Sequence, residues 1–158
     1  MTAQAMPLIT RGKYWQELAL GMAGRTLRRT VTETDLVNFI SCTGMLEAIF
    51  IDAAYEHAAI PGRLVPAALT QSLIEGMFFQ TVIQGTGLAL LEVTIKAHGP
   101  VRVNDSIWAT LDTVEVRPTS KNNRAIVTSD VKVFNQNDEL VLSYVVKRLL
   151  AGDPELAA

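Results

Sequence analysis

The segment from Gly44 to Asp52 contains the residues whose types and spacing are best suited to chemistry. Glu47 is the only titratable side chain between these two residues, and its neighbours are apolar. A carboxylate in an apolar pocket can have a raised pKa and can act in turn as acid and base. Acids in structural networks show similar features, so Glu47 can equally cap a neighbouring helix or face solvent. Glu47 is therefore the candidate catalytic residue, with helix capping or solvent exposure as the alternative.

A second carboxylate, Glu75, lies within an otherwise apolar stretch of helical periodicity. We expect it either to face solvent on a narrow polar strip or to be buried with a partner such as an arginine. Its role depends on which of these two surroundings it has.

The histidines and the cysteine point to no further site. We expect His57 on a short exposed helix and His98 on the outward side of a strand. They lie far apart in the sequence, with no Cys or Asp cluster nearby, so they predict no metal site. Cys42 is the only cysteine and is expected to be a buried, inert thiol, since no histidine lies close to it in sequence. A single cysteine forms no disulfide within the chain, which is typical of a reducing compartment.

Composition argues against several classes of protein. The chain has a net charge of −2 and no block of Lys or Arg, so we expect no nucleic-acid partner. No segment resembles a membrane span, and the N-terminus lacks the apolar core of a signal peptide, so we expect a cytoplasmic protein without membrane contact. The 49% hydrophobic fraction, against 19% charged residues, is high for a soluble monomer. We expect part of that surface to be buried in a homodimer or a higher oligomer.

The longest helical pattern runs from Pro66 to Gln84 and is apolar nearly all round, which is typical of a helix in the core. Pro66 suits the first helical turn, where its missing N–H has no helical partner to lose. Gly76 interrupts the pattern and is expected to mark a kink or a close approach by other backbone.

Two shorter helices are predicted before it. Thr32 and Asp35 form a capping box for the first, which Gly44 ends. After a loop over residues 45–51, Asp52 is expected to cap the second. The buried face of the first helix is expected to carry Leu36, Val37, Phe39 and Ile40.

Strands occupy most of the remaining sequence. Gly24 to Val31 suits an edge strand, and apolar and polar residues alternate from Leu91 to Ala97, as in a half-buried strand. Hairpin turns at Lys121–Asn123 and Asn137–Asp138 separate the strands that follow. These strands are Ser106–Arg117, Arg124–Gln136 and Glu139–Leu150. The order predicts an α+β fold in which helices cover one face of an antiparallel sheet.

Several segments, in the same order and at similar intervals, resemble the MaoC-like dehydratase family of hotdog-fold proteins. These segments are YWQELALGM, RTVTETDLVNF, GRLVPAALTQSL and PVRVNDSI. The resemblance extends from Tyr14 to Leu150 and implies a single hotdog domain over residues 1–158, with its core at about 13–150. A hotdog domain is a curved antiparallel sheet around one long helix, and two such domains usually join edge to edge. The resemblance implies acyl thioesters of coenzyme A or acyl carrier protein as ligands, as in (R)-specific enoyl-CoA hydratases.

The reaction that the resemblance implies is the reversible addition of water to a 2-enoyl thioester. It needs a base for the water, an acid for the α-carbon and a donor for the enolate-like oxygen. The family supplies acid and base from an Asp and a His in the loop after the first helix. Laid on that pattern by Gly44 and Asp52, this sequence has Met45 and Phe50 at those positions, and neither transfers a proton. If the protein is a hydro-lyase, Glu47 is the residue expected to replace the pair.

The start of the long helix is expected to bind the thioester oxygen. The family has a His-Gly pair there, and this sequence has Pro66 and Ala67. Ala67 keeps its backbone N–H, which can stabilise the oxygen with help from the helix dipole. No cofactor is expected beyond the coenzyme A of the thioester, and no metal. The side chains expected to line the acyl group are Met45, Leu46, Ile49, Phe50, Pro66 and Ala68.

Two other functions remain open. The chain can be a non-catalytic acyl-thioester-binding module, or the partner subunit of a hetero-oligomeric dehydratase whose other subunit carries the Asp/His pair. It can also be a thioesterase, because some thioesterase branches of the hotdog superfamily activate water with an acid on the central helix, here Glu75. Arg63, Lys121 and Arg124 are candidates for contacts with coenzyme phosphates.

Overall fold

The computed structural model describes residues 11–156, which form three α-helices, six β-strands and two short 3-10 turns, Trp15–Glu17 and Pro154–Leu156. The helices are α1 (Glu33–Thr43), α2 (Ala48–Ile51) and α3 (Ala67–Phe79). The strands are β1 (Ala23–Arg25), β2 (Arg29–Thr30), β3 (Gly87–Ala97), β4 (Ser106–Pro118), β5 (Arg124–Phe134) and β6 (Leu140–Ala151). Over this range, no helix combines the length and the apolar character needed to cross a membrane.

The strands form an antiparallel sheet in the order β1-β4-β5-β6-β3, and β2 also pairs with β4. The β4–β5 and β5–β6 hairpins turn at the predicted positions, where Asn122, Asn123 and Asp138 have φ of 65°, 46° and 61°. Asn and Asp adopt this left-handed conformation more readily than other non-glycine residues. The meander predicted from the turn sequences is therefore confirmed.

α3 is the helix around which the sheet packs. Its buried side chains Leu69, Leu73, Ile74 and Phe78 belong to one hydrophobic cluster with inward residues of β4, β5 and β6. Burial of a side chain of this size contributes about 1.5–3 kcal/mol. The predicted core helix and the predicted α+β class are both confirmed.

α3 ends at Phe79, and the prediction that it continues to Gln84 is wrong. The Ile83 N–H donates to the Phe78 carbonyl (3.1 Å), which joins residues five apart rather than the four of an α-helix. Gly85 has φ of 72°. Ile83 is nevertheless buried. The apolar residues after Phe79 therefore pack on the core from a turn, although their pattern suggests more helix.

α1 begins and ends as predicted. Thr32 Oγ1 accepts a hydrogen bond from the Asp35 N–H (3.1 Å), Asp35 accepts one from the Thr32 N–H (2.9 Å), and Gly44 ends the helix with φ of 72°. Two expectations for its sides are wrong, because Val37 and Cys42 are exposed rather than buried. Only a narrow face of α1 meets the core, so side chains beside that face turn outward.

Residues 53–66 contain no helix, although one was expected after Asp52. The short helix is α2, inside the segment expected to be a loop, and Glu47 caps it. Asp52 instead caps a turn, since its side chain accepts a hydrogen bond from the Ala54 N–H (2.9 Å). Residues 53–60 include no buried side chain, and so short a helix is unstable without tertiary packing.

β3 lies at the edge of the sheet and is exposed on both faces along most of its length. The alternating sequence predicts one buried face, but in the single chain Leu91 and Ile95 are exposed and Val93 is half-buried. The outer edge of β3 pairs with no strand of residues 11–156. An apolar, unpaired edge of this kind favours pairing with another chain.

Candidate functional site

Two tight turns build the segment 44–52. The first closes where the Leu46 N–H donates to the Gly44 carbonyl (2.8 Å). The second is α2, which Glu47 starts: its carboxylate accepts a hydrogen bond from the Ile49 N–H (2.9 Å). The segment is therefore held by its own hydrogen bonds rather than open.

Arg63 fastens this segment to the start of α1. Its Nη1 donates to the Phe50 carbonyl, its Nη2 lies 2.6 Å from Glu33 Oε1, and its Nε donates to the same oxygen at 3.1 Å. The hydrogen bonds from Arg63 hold the pKa of Glu33 below its usual value. Of the three cations proposed for coenzyme phosphates, Arg63 is thus engaged in positioning, whereas Lys121 and Arg124 are exposed.

Glu47 is exposed, and its carboxylate serves as the cap of α2. The neighbouring Met45 and Leu46 side chains are themselves 40% and 59% exposed, so they do not enclose it. Helix capping and solvent exposure, the alternative given for Glu47, are what the structure shows. Its catalytic role stays a prediction.

The six side chains expected to line an acyl group differ in burial, and their role stays a prediction. Ile49 and Phe50 are half-buried, and Phe50 packs against the core. Pro66 is buried and Ala68 is half-buried at the start of α3. The other two, on the first turn of the segment, are exposed. Four of the six side chains are thus buried or half-buried, whereas Met45 and Leu46 present apolar surface to solvent.

The two histidines make contacts of other kinds. His57 lies in a turn rather than on a helix, and its ring packs edge-on against Tyr55 with 5.7 Å between centroids. His98 Nε2 is 2.8 Å from Ser143 Oγ. Both are exposed, as predicted. In the part of the chain from 11 to 156, no three His, Cys, Asp or Glu side chains are grouped so as to hold a metal ion.

The N-terminus of α3 carries an unused backbone donor. Pro66 is the N-cap, with φ of −55° and ψ of 137°, and its side chain makes no capping hydrogen bond. Its carbonyl accepts a bond from the Thr70 N–H (3.1 Å), which places Ala67 at the first helical position. Within residues 11–156 the Ala67 N–H has no partner. The helix dipole adds partial positive charge there, so this N–H is available to donate to an acceptor outside residues 11–156.

A groove of about 520 Å³ runs along α3 from its second turn to its last. It begins one turn after Ala67, and Ala68 lies four residues before Ser72 on the same helix face. A Cβ added to Gly76 would meet no atom within 4 Å, so the close approach expected at this glycine is absent from residues 11–156. One wall consists of residues 87–90 of β3, and the helix wall carries Gln71, Ser72, Glu75, Gly76 and Phe79.

Glu75 is buried beside this groove in an ion pair with Arg148. Arg148 Nη2 lies 2.6 Å from both carboxylate oxygens, and the Tyr144 hydroxyl donates to Glu75 Oε1 at 2.7 Å. Only 11% of the Glu75 side chain and 7% of the Arg148 side chain are exposed. Burial and the Glu75 charge raise the pKa of Tyr144 far above its usual value, so the phenol stays a donor. Of the two placements expected for Glu75, burial with an arginine is confirmed.

This arrangement weighs against Glu75 as the base of a thioesterase. A base must take up a proton, but protonating Glu75 would leave the buried Arg148 charge without its counter-ion. Breaking a buried pair in this way is costly, because the remaining charge has no compensation. The carboxylate is therefore suited to hold Arg148 and Tyr144 in place.

Tyr144 and Arg148 are site residues that the sequence analysis misses, although a signal for them exists. Strand alternation places Arg148 on the core-facing side of an apolar strand. A charged residue there needs a buried partner of opposite charge, and Glu75 is the only carboxylate in α3. The alternate residues of β6 that are buried are Leu142, Tyr144, Val146, Arg148 and Leu150.

A second groove, of about 500 Å³, lies between residues 22–28 and the C-terminal end of α3. Its lining is mainly apolar, with Lys13, Arg25 and Arg28 also present. Neither the segment 44–52 nor the start of α3 contributes to it. It is therefore separate from the candidate site.

No protein-family model matches the sequence, and no curated protein matches it significantly. Solved structures do match. A monoamine oxidase regulatory protein from Archaeoglobus superposes with a TM-score of 0.83 at 25% identity, covering 93% of this chain and 100% of that one. A MaoC-like dehydratase from Rhodospirillum rubrum superposes with a TM-score of 0.78 at 19% identity, covering 90% of this chain and 99% of that one. An (R)-hydratase from Pseudomonas aeruginosa superposes with a TM-score of 0.72 at 23% identity, covering 89% of this chain and 86% of that one.

Proposed function

We propose that this chain, which shares the hotdog fold of the MaoC-like dehydratases and (R)-hydratases, binds acyl thioesters of coenzyme A or acyl carrier protein. The observation that carries the proposal is the start of α3. There the Ala67 N–H has no partner in the described part of the chain, and a groove of about 520 Å³ begins one turn further along the helix. The thioester oxygen would accept the Ala67 hydrogen bond, and the acyl group would lie in the groove between α3 and β3.

The same site is poorly equipped for hydration. Met45 and Phe50 occupy the positions at which the family resemblance expects Asp and His. A positioned acid or base contributes roughly 10²–10⁴-fold each, so we expect hydration of crotonyl-CoA to be absent or very slow. Any residual hydro-lyase activity would depend on Glu47. Glu47→Gln, which keeps an oxygen able to cap α2, should abolish that activity without unfolding the protein.

We infer that the functional unit is at least a homodimer. β3 offers an unpaired edge of eleven residues beside the groove. A second copy that adds its own β3 to this edge would continue the sheet, pair the free backbone groups and cover the groove. Light scattering should then give at least twice the 17.2 kDa mass of the chain, and a 17.2 kDa species would contradict the inference. The apolar side chains that such a dimer would cover are Phe79, Leu88, Leu90, Leu91 and Ile95.

A second candidate function is that of a binding module or partner subunit without catalysis of its own. The observation in its favour is that Glu47, the one carboxylate between residues 44 and 52, already caps α2. In this case the chain would complete a site on a subunit that carries the Asp/His pair. The chain alone should then show no hydration, and adding it to such a subunit should raise the activity of that subunit. Equal activity with and without the chain would contradict this function.

Calorimetric titration tests the proposed binding. The ligands are acetyl-, butyryl-, hexanoyl- and decanoyl-CoA, the same acyl groups on an acyl carrier protein, and free coenzyme A as the matched control. We expect binding to strengthen with acyl length, because each buried CH₂ contributes about 0.8 kcal/mol. Gly76→Leu fills the groove. It should weaken the binding of the longer acyl chains and leave the binding of acetyl-CoA unchanged. Equal heats for coenzyme A and its thioesters, or no heat with any ligand, would refute the proposal.

A further inference from the structure

Arg148 carries hydrogen-bond donors that the fold does not use. Its side chain is 7% exposed, and within residues 11–156 only Nη2 has hydrogen-bond partners, the two oxygens of Glu75. A guanidinium has five N–H donors, so those on Nε and Nη1 are left without a partner in this part of the chain. Arg148 lines the groove along α3. The other space that Arg148 lines, a pocket of about 20 Å³, is too small for an acyl chain. The groove is therefore where a ligand could meet the unpartnered donors of Arg148.

Glu75, Tyr144 and Arg148 form a buried cluster, and its charges favour a neutral oxygen on the ligand. Glu75 and Arg148 cancel each other's charge, and Tyr144 already donates to Glu75. A ligand carboxylate would place a second negative charge beside Glu75, which is unfavourable at low dielectric. A plain hydrocarbon chain would exclude water from the Arg148 donors without replacing its hydrogen bonds, which is also costly. A hydroxyl or keto oxygen accepts those hydrogen bonds and adds no charge.

The position of the cluster on α3 sets where on the ligand that oxygen lies. Glu75 follows Ala67 by eight residues, which at 1.5 Å per residue is about 12 Å along the helix axis. Ser72, between them, lines the same groove. An extended chain advances about 3.6 Å per three bonds, so the cluster is roughly ten bonds from a thioester oxygen held at Ala67.

We propose that Glu75, Tyr144 and Arg148 form a specificity-determining polar site, which selects acyl thioesters that carry a hydroxyl or keto oxygen near the far end of a medium-length chain. The inference rests on the proposed function, because it places the acyl group in the groove along α3. Arg148 donates to the ligand oxygen. Glu75 fixes the position of Arg148, and Tyr144 fixes that of Glu75.

A matched ligand series tests this selectivity. Decanoyl-CoA is compared by calorimetry with decanoyl-CoAs that carry one hydroxyl at carbon 8, 9 or 10. At least one hydroxylated ligand should bind on the order of 10- to 100-fold more tightly than decanoyl-CoA, since it pairs donors that the plain chain leaves unpaired. If decanoyl-CoA binds as tightly as every hydroxylated ligand, the inference is overturned while the proposed function stands. If no ligand in the series binds, the proposed function fails and this inference fails with it.

Two variants locate the selectivity at the cluster. Glu75→Leu/Tyr144→Phe/Arg148→Met replaces all three groups by apolar ones of similar size, a change that is often neutral or stabilising for a buried ion pair. This variant should lose the preference for hydroxylated ligands and should bind decanoyl-CoA most tightly. Arg148→Lys keeps the charge opposite Glu75 but lacks the Nη1 donors, and should lose the preference with the fold intact. The matched control Asp130→Leu/Lys132→Met replaces an ion pair on β5 outside the groove. It should keep the preference for hydroxylated ligands. A hydroxyl preference that survives in both cluster variants would overturn the inference.

Discussion

Ala67→Pro removes one backbone N–H from the start of α3 and changes little else. Proline is favoured at the first helical position, where its fixed φ suits the helix. The preceding residue, Pro66, already has φ of −55° and ψ of 137°, which a residue before proline can adopt. We expect the free energy of unfolding to be unchanged, or to rise by up to about 1 kcal/mol because the unfolded chain loses conformational freedom.

The lost hydrogen bond should affect binding and chemistry to different extents. The ground-state thioester should bind about 0.5–1.5 kcal/mol more weakly, the net value of a neutral hydrogen bond. This corresponds to roughly 2- to 12-fold in Kd. A reaction that builds negative charge on the thioester oxygen should slow by about 10²–10³-fold, as when a donor is removed from an oxyanion hole. The difference between the two effects distinguishes a site used for chemistry from one used for binding alone.

Ala67→Ser is the matched control, because it changes the same side chain and keeps the N–H. Thermal unfolding checks that both variants fold, calorimetry with butyryl-CoA gives Kd, and the absorbance of the enoyl thioester follows hydration of crotonyl-CoA. An Ala67→Pro protein that folds normally and binds butyryl-CoA as tightly as the Ala67→Ser protein would refute the role assigned to this N–H.

Three further predictions concern other residues of the same region. Gly76→Ala should raise the free energy of unfolding in urea by about 1 kcal/mol, because Ala favours the helix and its Cβ meets no atom of the single chain within 4 Å; a loss of stability would show that the second copy covering the groove packs directly against Gly76. Glu33 has a folded-state pKa below its usual 4.5, so it should stabilise the fold above that pH and lose this contribution as the pH falls towards the folded-state value. The stability of Glu33→Gln should therefore fall less steeply than that of the wild type between pH 5 and pH 3, and equal slopes would contradict this. Met45→Asp/Phe50→His restores both expected proton carriers and should raise crotonyl-CoA hydration by at least about 10²-fold; no gain would show that residues 44–52 are not placed for this chemistry.

Short-range interactions made several elements predictable from the sequence. The Thr32–Asp35 capping box, the end of α1 at Gly44 and the Asn122–Asn123 turn each depend on residues adjacent in the chain. Their positions therefore follow from local sequence alone. The family resemblance predicted the hotdog fold, which solved structures at 17–25% identity share.

Features that depend on distant parts of the chain were harder to predict. Ile83 packs on the core from the turn that follows α3. An apolar residue would suit that position equally well in a longer helix, so the sequence does not distinguish the two. The exposure of Cys42 depends on which side of α1 meets the core. Glu47 could have been enclosed or exposed, since its surroundings depend on how Met45 and Leu46 fold around it. The partners of Glu75 lie 69 and 73 residues further along the chain, so only the alternation of β6 signals them in the sequence.

The most direct measurement of acyl-thioester binding at α3 is a set of backbone amide shifts from ¹⁵N-labelled protein. Butyryl-CoA is added in one titration and free coenzyme A in the other. We expect the Ala67 amide proton to move downfield with butyryl-CoA only, with smaller changes at Gln71 and Ser72, where the groove begins. An Ala67 amide that does not move, with shifts confined to residues 22–28 and the C-terminal end of α3, would contradict the proposed site.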